Sequence, residues 1–275
     1  MTVLIFPSYL GFVKYFQSNF GLSDQFLYMM LISVSHILVY SAINGFFVLV
    51  DLDKYKFERN KAQIPGATLI NSTLVAAVIS QLITSPLLTY YLYPAFQSLG
   101  LKALDAPLPP LRDLAWTYFV AHAFNDFGFY WTHRMLHTKL LYSTVHKQHH
   151  EFKGSIGIAA EYAHPIESLV SNILPSIGGV TFFGCHHPIC LIIWISMRLY
   201  QTYFAHSGLA LCGTFLEKIG FAHVESACFH DHHHTVNKGN YGGMVTDYMF
   251  GTMDDYAAGG LAKGYISRHI NAKNG

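Results

Sequence analysis

The sequence predicts an all-α integral membrane protein with about four transmembrane helices and a cytosol-facing helical cap that holds a histidine-rich site for two metal ions. Three observations carry that expectation. Apolar residues make up 52% of the 275-residue chain and charged residues only 12%, about half the ionic content of an average soluble domain. Such a chain lacks the charge to cover its surface, so lipid covers part of it. The apolar residues also gather into long runs. Histidine occurs 17 times, as often as lysine and arginine together, and it clusters in short boxes.

The runs set the organisation. Residues 26–50, FLYMMLISVSHILVYSAINGFFVLV, are nearly free of charge and long enough to span a bilayer. His36 and Asn44 interrupt them, and polar groups at that depth face a helical neighbour. DLDKYKFERNK follows with Lys54, Lys56, Arg59 and Lys61, a cytosolic loop by the positive-inside rule. Residues 66–95 give a second span, with a kink expected at Pro86. DAPLPPLRD, residues 105–113, is a proline-stiffened connector. It divides an N-terminal anchor, residues 1–112, from the histidine-bearing part, residues 113–258, with a tail over 259–275. A third run, Leu114–Trp131, leads straight into THRMLH. Two more apolar helices lie between Leu169 and Ala205, broken at GCHHP, residues 184–188, as a membrane hairpin or as two crossings. Counting crossings from the basic loop puts every histidine box on the cytosolic side.

Composition also excludes. A net charge of +1 argues against nucleic acid as an electrostatic partner. Cys185, Cys190, Cys212 and Cys228 show no CxxC pairing and read as free thiols in a reducing setting. MTVLIFPSYLGFVKYF has no basic residues ahead of its apolar ones, so no cleaved signal peptide is expected.

The histidines carry the chemistry. On a helix at about 100° per residue, His122, Asp126, His133 and His137 fall within about 60° of one another. The last two form HxxxH in HRMLH, an i, i+4 pair whose side chains converge. HKQHH places His146, His149 and His150 on one helical face, and HDHHH does the same with His230, His233 and His234. His232 sits off that face. A single HxxxH is common by chance, and one HxxHH can be a surface cluster; the set of three is specific. Neutral imidazole is a good ligand for iron, zinc, copper or nickel. A structural zinc needs four ligands and a catalytic zinc three, so eight nitrogens point to two metals with open positions. Zinc has no redox chemistry and iron does. A zinc hydrolase would leave most of these histidines unused, and a metal transporter would spread them along several spans at different depths, whereas here they gather at the cytosolic ends. Glu161-x-x-His164 is half of the pattern used by carboxylate-rich di-iron bundles, but a second copy is missing. HHEF fails the HExxH spacing, and no P-loop, GxGxxG or GxSxG occurs.

HRMLHTKLLYSTVHKQHHEF, followed by AAEYAHPIE, FAHSG, HDHHH and GNYG, resembles the fatty acid hydroxylase/sterol desaturase superfamily, over roughly residues 113–256. EYAHPIE and HDHHHTVNKGNYGGMVTDYMFGT look most like the C-4 methylsterol oxidases and related fatty acid hydroxylase domain-containing proteins. The resemblance implies a non-haem di-iron oxygenase, with a fatty acid hydroxylase-type catalytic domain over residues 113–258. It makes His133, His137, His146, His149, His150, His230, His233 and His234 metal ligands, with His206 of FAHSG a ninth. Some members carry another histidine four residues earlier, where this chain has Thr202; His164 of AHPIE is the alternative tenth ligand. No catalytic residue beyond these ligands is implied. Asp126 and Asp231 are expected to support the ligand histidines, ahead of Glu161, Glu167 and Asp247. The further implied properties are two Fe ions, molecular oxygen, and a membrane lipid substrate, foremost the C-4 methyl group of a 4-methylsterol. A fatty acyl or sphingoid hydroxylase, or a sterol desaturase, is the alternative. Electrons would come from cytochrome b5 and its NAD(P)H-dependent reductase; Arg134, Lys139, Lys147 and Lys153 beside the boxes either dock an acidic donor or meet lipid headgroups. Phe127, Phe129, Tyr130, Trp131 and Ile173–Phe183 are expected to wall the substrate site. The endoplasmic reticulum membrane is the implied location, multi-pass; the C-terminal NAKNG shows no lysine-based retrieval signal.

Overall fold

The computed structural model describes residues 9–269. The N-terminal MTVLIFPS and the C-terminal NAKNG, both read above, lie outside the described residues. The described residues are mostly helical and contain no strand, apart from one isolated bridge between Lys56 and Leu209. The principal helices are α1 (Tyr9–Phe20), α2 (Asp24–Leu49), α3 (Ala67–Ser98), α4 (Leu111–Leu136), α5 (Pro165–Phe183), α6 (Pro188–Ala205), α7 (Val224–Val236) and α8 (Leu261–His269).

Each begins or turns for a local reason. Ser23 opens α2, its hydroxyl accepting from the Phe26 amide at 3.2 Å. Within α3 a π turn at Ser80–Thr84 widens the hydrogen-bond ladder just before Pro86, which has no N–H to give. Asn237 closes α7 in the left-handed conformation at φ 59°.

Among the described residues, three helices are long and apolar enough to cross a membrane by length and composition: α2, α3 and α5, with mean hydropathies of 1.9, 1.6 and 1.3. The expected count of about four is not reached by that measure. The third expected run, Leu114–Trp131, lies within α4, which mixes its apolar residues with Thr117, His122, Asn125 and Asp126. Thr117 and Asn125 among them are buried against other helices, whereas His122 is exposed. Ser176 on α5 donates to Asn125 at 2.9 Å, and the Trp194 indole on α6 donates to the Ser176 carbonyl at 2.6 Å. The outer face of α3 is apolar instead: Leu74, Val75, Val78, Ile79, Leu82 and Ile83 are all exposed, as a lipid-facing surface requires.

α4 packs on α5, and α2 on α3 and α6. The α4–α5 crossing is close because Gly178 and Gly179 carry no side chain there. A Cβ on Gly179 would lie 2.6 Å from the Ala121 Cα, the small-residue contact typical of membrane helices. The turn between α5 and α6 meets the start of α4, where the Thr117 hydroxyl accepts from the Cys185 amide at 3.1 Å. His133 comes 16 residues after Thr117 on α4, about 24 Å further along the axis. The loop between α2 and α3 reaches that other end: the Phe57 amide donates to Gly208 at 3.0 Å, and the Ala210 amide to Tyr55 at 2.9 Å. The basic loop and the histidines therefore share one end of the bundle.

Candidate metal centre

The histidines come from four places. α4 ends in His133 and His137. A 3₁₀ helix over His146–Glu151 carries the HKQHH box, α6 ends at His206, and α7 carries HDHHH. They form two groups. His133, His137, His146, His150 and His233 make one; His149, His206, His230 and His234 make the other, with ligand atoms in each within 4.8 Å of one another.

Each HxxHH box is divided. His146 and His150 enter the five-membered group while His149 enters the other; His230 and His234 enter the four-membered group while His233 crosses over. The rings of His146 and His149 lie side by side, 5.7 Å apart and inclined at 28°, each aimed at its own group.

Neighbouring Nε2 atoms are close. In the first group His133–His146 is 2.9 Å, His146–His137 3.0 Å, His150–His146 3.0 Å, and His233 lies 3.2 Å from both His137 and His150. In the second group His230–His206 is 2.9 Å, His234–His230 3.1 Å and His206–His149 3.3 Å. A cation about 2.1 Å from each imidazole nitrogen separates adjacent ligands by about 3.0–3.4 Å, so the spacing fits a metal.

The other ring nitrogens decide the protonation. Nδ1 of His133 donates to the Tyr241 carbonyl at 2.5 Å and Nδ1 of His233 to Gly239 at 2.6 Å. Nδ1 of His149 donates to Tyr162 at 3.2 Å, of His206 to Thr202 at 2.8 Å, and of His234 to Phe152 at 2.9 Å. A carbonyl only accepts, so these Nδ1 atoms hold the proton and Nε2 holds a lone pair. His149 and His206 thus face each other lone pair to lone pair, and neither can donate. Only a cation between them turns that repulsion into binding. The donor set fits a metal in each group.

Electrostatics agree. Burial pushes His137, His146 and His206 down to about 3, with neighbouring histidines adding to the fall for His137 and His206. His150, His230, His233 and His234 are depressed further by the same two causes. All are neutral at pH 7, the form that ligates.

The supporting carboxylates are ordered differently from the expectation. Glu167 Oε2 lies 2.9 Å from His146 Nδ1, off the line of a well-directed hydrogen bond. Asp247 accepts from the Tyr241 amide at 2.8 Å, the Gly242 amide at 2.6 Å and the Thr252 hydroxyl at 2.6 Å, and so fixes the GNYG turn whose carbonyls hold His133 and His233. Gly239 needs its freedom there: its φ is +69°, and a Cβ would lie 2.4 Å from the Thr252 carbonyl oxygen. Asp126 accepts instead from Thr246 at 2.9 Å. Asp231 pairs with Arg59 and accepts from the Tyr265 hydroxyl at 2.6 Å. Nearness in sequence misled because neighbours on a helix point to different sides.

Nine of the ten expected ligands come together. His164 does not: its Nδ1 accepts from the Ile166 amide at 3.2 Å, opening the first turn of α5, so that nitrogen serves as a cap. Thr202 also supplies no tenth nitrogen; its hydroxyl accepts from Arg198 at 2.6 Å and its carbonyl from His206. His122 stacks on Tyr118 with ring centroids 6.0 Å apart, and His232 lies against Tyr256 and Tyr265, both outside the groups. Of the expected walls, Phe129 lies 4.9 Å from the His133 ring. Phe127 and Trp131 face outward and pack on Phe250, and Phe182 and Phe183 are exposed.

The fatty acid hydroxylase family model matches residues 118–252, the segment that contains both groups. A Dictyostelium discoideum protein provisionally named methylsterol monooxygenase is 32% identical over 252 residues, covering 90% of each chain. The chain belongs to the fatty acid hydroxylase family. Methylsterol monooxygenase 2-1 of Arabidopsis thaliana is 36% identical over 60% of this chain and 65% of its own. A very-long-chain aldehyde decarbonylase of Oryza sativa subsp. indica is 35% identical over 74% of this chain and 75% of its own. No solved structure matches the chain. This fatty acid hydroxylase family member is a membrane oxidoreductase of an iron-dependent family.

Proposed function

We propose that the chain oxidises a membrane sterol with molecular oxygen, at the C-4 methyl group of a 4-methylsterol, using two iron ions held by the nine grouped histidines. The observation that carries this reading is the pair of buried imidazole groups with Nε2 lone pairs converging, in a chain whose relatives include methylsterol monooxygenases. Bound iron supplies the one-electron chemistry by which oxygen attacks an unactivated C–H bond.

The protein's own residues do the rest. His133, His137, His146, His150 and His233 hold one ion; His149, His206, His230 and His234 hold the other. The carbonyls of Tyr241, Gly239, Tyr162, Thr202 and Phe152 keep Nδ1 protonated and the rings fixed. Phe129 and the apolar side chains of α4 exclude water beside His133. The five-membered group has one more imidazole than the other, so the second ion has the greater room for an exogenous partner.

The basic loop at the histidine end supports a cytosolic orientation and an endoplasmic reticulum location. Arg134, Lys139, Lys147 and Lys153 are exposed at that end and suit an acidic electron donor such as cytochrome b5, fed by its NAD(P)H-dependent reductase. The chain shows no dinucleotide fingerprint of its own. The aldehyde decarbonylase relatives favour a second reading, the same centre acting on a long acyl-derived chain. A sterol profile by mass spectrometry separates the two, in cells lacking their own C-4 oxidase. The first reading expects wild type to clear 4-methylsterols only with oxygen present, and His149→Ala/His150→Ala to leave them. Unchanged sterols with altered acyl lipids would favour the second.

A further inference from the structure

A second buried polar cluster lies behind the four-histidine group. His36 projects from the middle of α2, the first span. Its Nε2 lies 2.9 Å from Glu161 Oε1 and 3.1 Å from the Tyr203 hydroxyl, which donates to the same carboxylate oxygen. The His36 and Glu161 side chains are 14% and 9% exposed. Tyr40, one turn further along α2, sets its ring edge against Tyr203 at 5.6 Å. None of these groups has a part in holding metal directly.

Their position along the chain is informative. Glu161 immediately precedes Tyr162, whose carbonyl accepts from His149 Nδ1. Tyr203 immediately follows Thr202, whose carbonyl accepts from His206 Nδ1. The two backbone acceptors that orient two of the four rings are therefore each next to a side chain gripped by His36. The five-histidine group draws its outer contacts from Tyr241, Gly239 and Glu167 instead, none of which His36 touches. A carboxylate buried at a membrane helix needs its hydrogen bonds satisfied, and His36 and Tyr203 satisfy Glu161. A plain interhelical clamp would do that too. The distinction lies in selectivity: a clamp serves both groups alike.

We propose that His36, Glu161 and Tyr203 are positioning residues for the four-histidine metal site alone, so that the first membrane span is a working part of one metal site and not of the other. A ring whose carbonyl partner shifts loses both its direction and its tautomer, and outer partners of this kind govern metal affinity by about 10–100-fold. The assignment rests on the two-iron reading above.

The test uses the full chain in detergent or nanodiscs, with iron per chain measured together with its electron paramagnetic resonance spectrum. His36→Ala and Glu161→Ala are expected to lower the ratio from two to about one, and the remaining iron to give a mononuclear high-spin ferric signal. His36→Gln, whose amide can still donate to Glu161, is expected to restore the second iron. Two irons with an unaltered spectrum in both alanine variants, or loss of both irons together, would overturn the assignment. Should the alanine variants not fold, Tyr203→Phe removes one hydroxyl only. Chelator stripping should then become biphasic, with one iron leaving at least tenfold faster; a single wild-type phase would overturn the assignment as well. A wild type holding fewer than two irons contradicts the two-iron reading itself and is thereby told apart from failure of the variants.

Discussion

Arg59, from the loop that follows the first span, grips Asp231 with both guanidinium nitrogens, one at 2.8 Å. Asp231 is fully buried and sits between His230 and His232 on α7. The loop between α2 and α3 is thus fastened to the helix that bears the second histidine box. The Tyr265 hydroxyl from α8 completes the carboxylate's partners at 2.6 Å. Removing Arg59 strands a buried charge, so Arg59→Ala should destabilise the protein by about 3–5 kcal/mol. Arg59→Ala/Asp231→Asn should recover part of that loss. Thermal unfolding in detergent reads both, and equal stability of Arg59→Ala and wild type would refute the role.

Glu167 predicts a selective effect at the other group. Its carboxylate lies 2.9 Å from His146 Nδ1, and Glu167→Gln keeps the size while replacing the carboxyl by an amide. Affinity for one metal should fall by about 10–100-fold, as measured by competition with a chelator. Asp126→Asn, at a carboxylate bound to Thr246, should leave it unchanged.

Metal removal exposes a pH dependence whose sign follows from burial. In the folded, metal-stripped protein His137, His146 and His206 titrate near 3, whereas unfolded histidine titrates near about 6.5. Below that value the unfolded chain takes up protons that the folded chain refuses. Stability is therefore full above about pH 6.5 and falls as pH drops, by up to about 1.4 kcal/mol per pH unit for each such imidazole. Unfolding of chelated protein between pH 7.5 and 5 should show this slope, and a flat profile would contradict the buried neutral state.

Close packing of α4 on α5 gives a fourth expectation. Gly179→Val places a Cβ 2.6 Å from the Ala121 Cα, and the helices must separate. Overpacking of this kind costs about 1–3 kcal/mol, visible as a lower unfolding temperature, whereas Gly45→Ala, with open space around it, should change little.

Much of this was legible in the chain. HRMLH, HKQHH and HDHHH announced themselves by spacing, since i, i+4 rings converge on a helix, and both His133/His137 and His230/His234 do so. The sharing of each box between two groups was not legible. It depends on how the HKQHH turn and α7 meet, with His149 and His233 crossing to opposite groups, and on His206 arriving from a distant helix, and spacing holds no record of either. His164 matched a pattern in relatives, yet its ring nitrogen caps a turn. GNYG stood out as a motif, but its role runs through the carbonyls of Gly239 and Tyr241, which every residue type possesses. The partners of Arg59 and His36 lie 172 and 125 residues away, beyond any local signal. The fourth expected span is not confirmed: α4 is long enough, but Thr117, His122, Asn125 and Asp126 lower its hydropathy.

The most direct test of the two-site centre is the iron content of the purified full chain, measured with wild type beside His137→Ala and His230→Ala. The two groups call for two irons per chain in wild type and about one in each variant, with a different one lost in each case. One metal per chain in wild type, or zinc in place of iron, would contradict the account.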